Sequence, residues 1–243
     1  MILSSEEKSN LLKITSSILD HFHDLSGLIN NKNTAFMANW MNYLDSPFGS
    51  TLGYFFNLSI PWHLSRLKDD LRIFQPPLNN INVFQYVIVL ANNIVSSRSN
   101  IEKIFTIAHE VQHLSQHVHN KESSLKCIVL YRYLFFKKDL RCIYSLPHDL
   151  DAIRQAKMVN YQINEQKEVD DFINDKIRMS SSDSDGKYWS LLKSIDPFSP
   201  YDFGYETELM WKEYEPEIKN VYLDDSDLQE AYEFFLSATE ILK

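Results

Sequence analysis

Two histidines four residues apart, with a glutamate directly after the first, stand in the middle of the chain: His109, Glu110, Val111, Gln112, His113. On a helix, positions i and i+4 lie one above the other on the same face, so His109 and His113 can turn an imidazole nitrogen toward one metal ion. Glu110 lies one position round the helix, where its carboxylate reaches a water held at that ion. Such a set suits metal-assisted hydrolysis, with the glutamate as proton acceptor.

Two histidines do not complete a catalytic zinc site; a third protein ligand is needed, with the fourth position left for water. The extended motif H-E-x-x-H-x-x-G-x-x-H is not met, because Gln116 stands at the glycine position and His119 at the last one. His117 follows His113 by four, but three histidines at i, i+4 and i+8 rise by about 6 Å per step and cannot all reach one ion. It reads as a neighbour of the site or a surface group. The better third ligand lies in the run LPHDLDAIRQA. Pro147 sits where a helix starts, and Asp149, Ala152, Ile153 and Ala156 share one face. Small alanines permit a close helix–helix approach, which brings a short carboxylate to the metal. Asp149 is the first choice, with Asp151 and His148 as alternatives.

The chain resembles the gluzincin metallopeptidases, in which H-E-x-x-H on one helix is completed by a carboxylate on a later helix, often within E-x-x-A. Here the matching run is Asp149, Leu150, Asp151, Ala152, and the likeness covers about residues 83–160. The resemblance implies a zincin-like fold and a zinc metallopeptidase, with Zn²⁺ on His109, His113 and Asp149 and Glu110 as general base. Aspartate in place of the usual glutamate is one methylene shorter, so the two helices must come closer. A catalytically silent binding or regulatory protein and a toxin or effector protease are the competing readings of the same residues.

The elements that must position these groups are mostly helical. Ser99 and Glu102 have capping-box spacing, and Ile104, Ile107, Ala108, Val111 and Leu114 form an apolar stripe through the motif. Just before it, residues 83–90, VFQYVIVL, predict a strand. That strand is either an edge able to pair with an extended peptide across the metal or one strand of a buried sheet. Helical spacing predicts further helices over 5–24, 34–44, 61–74 and 125–136, with a loop over 46–53. The expected class is mainly α (α+β), with a short sheet beside the motif helix. An N-terminal helical region (1–80), a metal-binding core (81–165) and a polar linker with an acidic, helical C-terminal region (166–243) pack as one domain.

Composition narrows the partners. A formal net charge of -9 leaves no basic stripe to displace phosphate counterions, so nucleic acid is not expected; a protein or peptide substrate is. No apolar run approaches the roughly 20 residues that cross a bilayer, so no membrane partner is expected. The 2 cysteines, Cys127 and Cys142, lack C-x-x-C spacing and fit a reducing compartment. The N-terminus has glutamates where a secretory signal carries positive charge. A cytoplasmic location is expected, or export without a cleaved signal. The stretch 179–187 reads as flexible. The acid-rich, aromatic-rich segment after 201 most simply packs its rings on the body of the protein, covering the site being the lesser alternative.

Overall fold

A computed structural model describes residues 4–22, 25, 34–40, 44–46, 49–51, 53–63, 85–91, 99–139, 145–180 and 183–240. The described chain is mainly helical. Helix α1 (Ser5–Leu19) is followed by strands β1 (Thr34–Trp40), β2 (Leu44–Ser46), β3 (Gly49–Thr51), β4 (Gly53–Asn57) and β5 (Tyr86–Ala91). Then come helices α2 (Asn100–His119), α3 (Lys121–Phe136), α4 (Pro147–Ile163), α5 (Gln166–Met179), α6 (Asp183–Ser194), α7 (Phe203–Val221) and α8 (Ser226–Glu240).

The strand expected over 83–90 is β5, and it is the middle of a three-stranded sheet of order β1-β5-β4. β1 pairs with it in parallel, Thr34 opposite Tyr86, and β4 in antiparallel fashion, Gly53 opposite Leu90. Residues Tyr86 to Leu90 are buried, as a run of valine, isoleucine and leucine requires. β5 therefore cannot be the edge that receives a peptide. The described edge strand next to the motif helix is β4.

The helix expected over 34–44 is instead strand β1, followed by the short β2–β3 hairpin, and the expected loop over 46–53 contains β3 and the start of β4. Apolar residues at 36, 37, 40 and 41 suit helical spacing, but pairing with a buried central strand overrides that local preference. The N-terminal region is therefore not all helical, and its strands join β5 across the boundary expected at residue 80. Of the helix expected over 61–74, only residues 61–63 are described, and they are helical.

α2 is enclosed on most sides. Ser99 caps it, its hydroxyl accepting from the Glu102 N–H at 3.3 Å; the Glu102 carboxylate, rather than closing a capping box, pairs with Lys176 of α5 at 3.1 Å. Ile107, Ala108, Val111 and Leu114 are wholly buried, each large aliphatic contributing about 1.5–3 kcal/mol. Its most extensive partner is α4, whose Ala152 and Ala156 are fully buried. Asn160 of α4 donates to the Ile101 carbonyl at 3.3 Å, tying the first turn of α2 to the far half of α4.

A second apolar cluster joins α3, α7 and α8 through Leu125, Val129, Trp211, Ile218, Leu228 and Phe235. The aromatics of the C-terminal segment thus pack largely as expected. α6 begins inside the stretch expected to be flexible. No helix among the described residues is long and apolar enough to cross a membrane.

Candidate metal centre

His109 and His113 project from the middle of α2, and Asp149 enters from the first turn of α4. The two Nε2 atoms stand 3.0 Å apart. Asp149 Oδ1 lies 3.6 Å from His113 Nε2 and 3.8 Å from His109 Nε2. A triangle with those sides has a circumscribed radius of about 2.0 Å, and zinc sits about 2.0–2.2 Å from imidazole and carboxylate ligands. The three atoms therefore converge with the spacing a transition-metal ion needs, two nitrogens and one oxygen as donors. Among the described residues this is the one His/Cys/Asp/Glu group so arranged.

Of the alternatives to Asp149, Asp151 is held by other side chains, and His148 stands beside Asp149 outside the three-atom set. Asp151 Oδ2 accepts from Gln112 Nε2 at 2.6 Å and from Gln116 Nε2 at 2.9 Å. His148 has its Nε2 3.7 Å from the second Asp149 oxygen, and its Nδ1 is buried without a hydrogen-bond partner among the described residues. The close approach that an aspartate requires is met by the buried alanines of α4.

Glu110 lies beneath β4, near enough to His113 and Asp149 that both act on its carboxyl. Its carboxylate accepts from the Phe55 backbone N–H. A Cβ on Gly53 would stand 2.9 Å from Glu110 Cγ and 3.1 Å from both Glu110 Oε1 and Thr106 Cγ2, so only glycine leaves room here. Gly53 was not legible as a site residue, because nothing local marks a strand glycine that lies against a distant glutamate.

Burial sets the electrostatics. It raises the Glu110 carboxyl from 4.5 to about 7, against the pull of His113. Burial and the neighbouring His113 push His109 down to about 3. Burial also works against charge on His113, yet Asp149 and Glu110 outweigh it and lift that ring to about 9. For Asp149, burial is outweighed by His148, His113 and His109, which hold it well below the ordinary carboxylate range. The charged form of His113 is thus favoured, with the Asp149 carboxylate beside its Nε2; a metal bound at this point would displace that proton.

His117 is neither a ligand nor a surface group. It is buried, with its Nε2 facing Asn57 Nδ2 at 2.5 Å, and burial lowers its pKa to about 4. Asn57 Oδ1 accepts from the Ser59 N–H at 3.0 Å, and the Asn57 N–H donates to His63 Nδ1 at 3.2 Å. His117 is therefore a neutral acceptor that moors the end of β4 to α2. The amides that β4 turns toward the site at Phe55 and Asn57 are thus already taken, by Glu110 and His63.

A cleft of about 730 Å³ opens in front of these groups. Tyr54 and Phe56 of β4 and Trp62 line one side; Ile128 and Tyr131 of α3 and Glu230 of α8 line the rest. The C-terminal region thus supplies one wall, where Asp227 pairs with Arg132 at 3.1 Å. Sequence reasoning also passed over Gln112 and Gln116. The one signal for the latter is its place at i+3 from His113, the next side chain along the same helix face. Comparison with family models, with curated proteins and with solved structures finds no match to the chain.

Proposed function

We propose that the chain is a zinc-dependent hydrolase acting on peptide bonds, as the gluzincin-like H-E-x-x-H motif implies. The observation that carries the reading is the convergence of His109 Nε2, His113 Nε2 and Asp149 Oδ1 on one point, with the buried Glu110 carboxylate next to it in sequence. His109, His113 and Asp149 hold the ion. When bound, zinc supplies Lewis-acid chemistry, lowering the pKa of a water toward neutrality and polarising the scissile carbonyl.

The protein's own groups do the remainder. Glu110, poised near neutrality by burial, takes the proton of the attacking water on its carboxylate and passes it to the leaving amine. The Phe55 N–H steadies that carboxylate, and Gly53 leaves the space in which it lies. The cleft, within the usual size range for small-ligand sites, admits the substrate, a peptide segment, between β4 and α3.

The test is Glu110→Gln. It is expected to keep zinc while hydrolysis of a peptide library falls by about 10²-fold or more. Hydrolysis at the wild-type rate would refute the role given to Glu110.

A further inference from the structure

The hydrogen bonds behind His113 form a closed set whose donors and acceptors can be assigned. Gln116 Nε2 lies 2.9 Å from Asp151 Oδ2 and 2.9 Å from the His148 carbonyl oxygen. A carboxylate and a carbonyl only accept, so the Gln116 amide must turn both of its hydrogens to them. Its Oε1 is left facing His113 Nδ1 at 3.0 Å, and an amide oxygen only accepts. His113 Nδ1 must then carry a hydrogen, and in the neutral ring the lone pair falls on Nε2, the atom that faces His109 and Asp149.

Asp151 is the anchor of this arrangement. It is buried, and its Oδ2 also receives Gln112 Nε2 at 2.6 Å. Two side chains of α2 thus converge on one carboxylate of α4. Asp149 and Asp151, two residues apart at the start of the same helix, address the ion point from opposite sides of His113, one directly and one through Gln116. His109 has no such support, its Nδ1 being buried without a partner among the described residues.

We infer that Gln116, oriented by Asp151, is a positioning residue that fixes His113 in its Nδ1–H form and presents Nε2 for metal binding. The inference rests on the metal-site reading for its purpose, but its geometry is tested without metal. Partners of this kind behind a ligating histidine typically change metal affinity by about 10–100-fold.

The experiment has two readouts on wild type, Gln116→Met and Gln112→Ala. Methionine keeps the length of glutamine but has no amide. Long-range 1H–15N spectra of the metal-free proteins, with the His113 ring neutral, report which nitrogen holds the hydrogen. Competition between zinc ion and a chelator reports affinity. Wild type and Gln112→Ala are expected to show the Nδ1–H form; Gln116→Met is expected to lose it and to bind zinc about 10–100-fold more weakly. An Nε2–H ring in wild type, an unchanged ring in Gln116→Met, or equal zinc affinities would overturn the relay. A wild-type chain in the Nδ1–H form that takes up no zinc would overturn the metal reading instead, while the relay stands.

Discussion

Replacing Gly53 with alanine tests the fit between β4 and the motif helix at a single atom. The new Cβ would lie 2.9 Å from Glu110 Cγ, whereas carbon atoms rest about 3.5–4.0 Å apart. Something must therefore move by more than about 0.5 Å. Cγ is in the middle of the Glu110 side chain, and Thr106 Cγ2 closes the other side at 3.1 Å, so the clash cannot be relieved by a free side-chain end. Overpacking of this kind costs about 1–3 kcal/mol, offset by about 0.4–1 kcal/mol from the stiffer unfolded chain. A net loss of about 1–2 kcal/mol lowers Tm by roughly 2–8 °C in a domain of this size.

Gly186 provides the control. It lies inside α6, and among the described residues a Cβ there would meet only Ser180 Cβ at 3.7 Å, an ordinary contact. Gly186→Ala is expected to raise Tm, since alanine is better than glycine in a helix by about 0.8–1 kcal/mol. Calorimetry of both variants, with zinc content measured alongside, checks the pair. Gly53→Ala is expected to keep its zinc, because neither histidine is touched, and to lose about 10-fold or more of any hydrolytic rate as the Glu110 carboxylate is displaced. A Gly53→Ala protein as stable and active as wild type would refute the close approach.

The Glu110 carboxyl, raised by burial from 4.5 to about 7, keeps its proton in the folded metal-free protein over a window in which the unfolded chain has lost it. Stability therefore falls as pH rises between those values. Glu110→Gln does not ionise, so the metal-free variant should exceed wild type by up to about 3 kcal/mol at pH 8 and match it at pH 4.5; denaturant melts at the two pH values check it, and equal stability at pH 8 would contradict the burial of the charge. Asn57→Ala should cost about 1–3 kcal/mol, because the buried His117 Nε2 and the Ser59 N–H lose their partner. Thermal melts test that, and an unchanged Tm would show that β4 is not moored through this side chain.

The parts of the molecule legible in the sequence are those defined within one helix or strand. The motif helix carries its cap and apolar stripe within twenty residues, and α4 announces itself by Pro147, the alanines and Asp149. β5 was legible from its β-branched run, but its central position was not, since order in a sheet depends on partners far along the chain. β1 has the apolar spacing of a helix and is a strand only because β5 pairs with it. Gly53, Gln116 and Asp151 take their roles from contacts between separate elements, and their own neighbours in sequence give little sign of them. The acids of α8 read as solvated surface and are exposed, Asp227 and Glu230 among them; that these two also line the cleft depends on the packing of α8 against α3, which no local pattern marks.

The most direct test of the central claim is the metal content of purified protein after incubation with zinc and dialysis, for wild type beside His113→Ala, Asp149→Ala and Asp151→Ala. About one zinc per wild-type chain is expected, lost in His113→Ala and Asp149→Ala and weakened but present in Asp151→Ala. No zinc in wild type would contradict the metal centre, and zinc kept by Asp149→Ala but lost from Asp151→Ala would move the third ligand to Asp151.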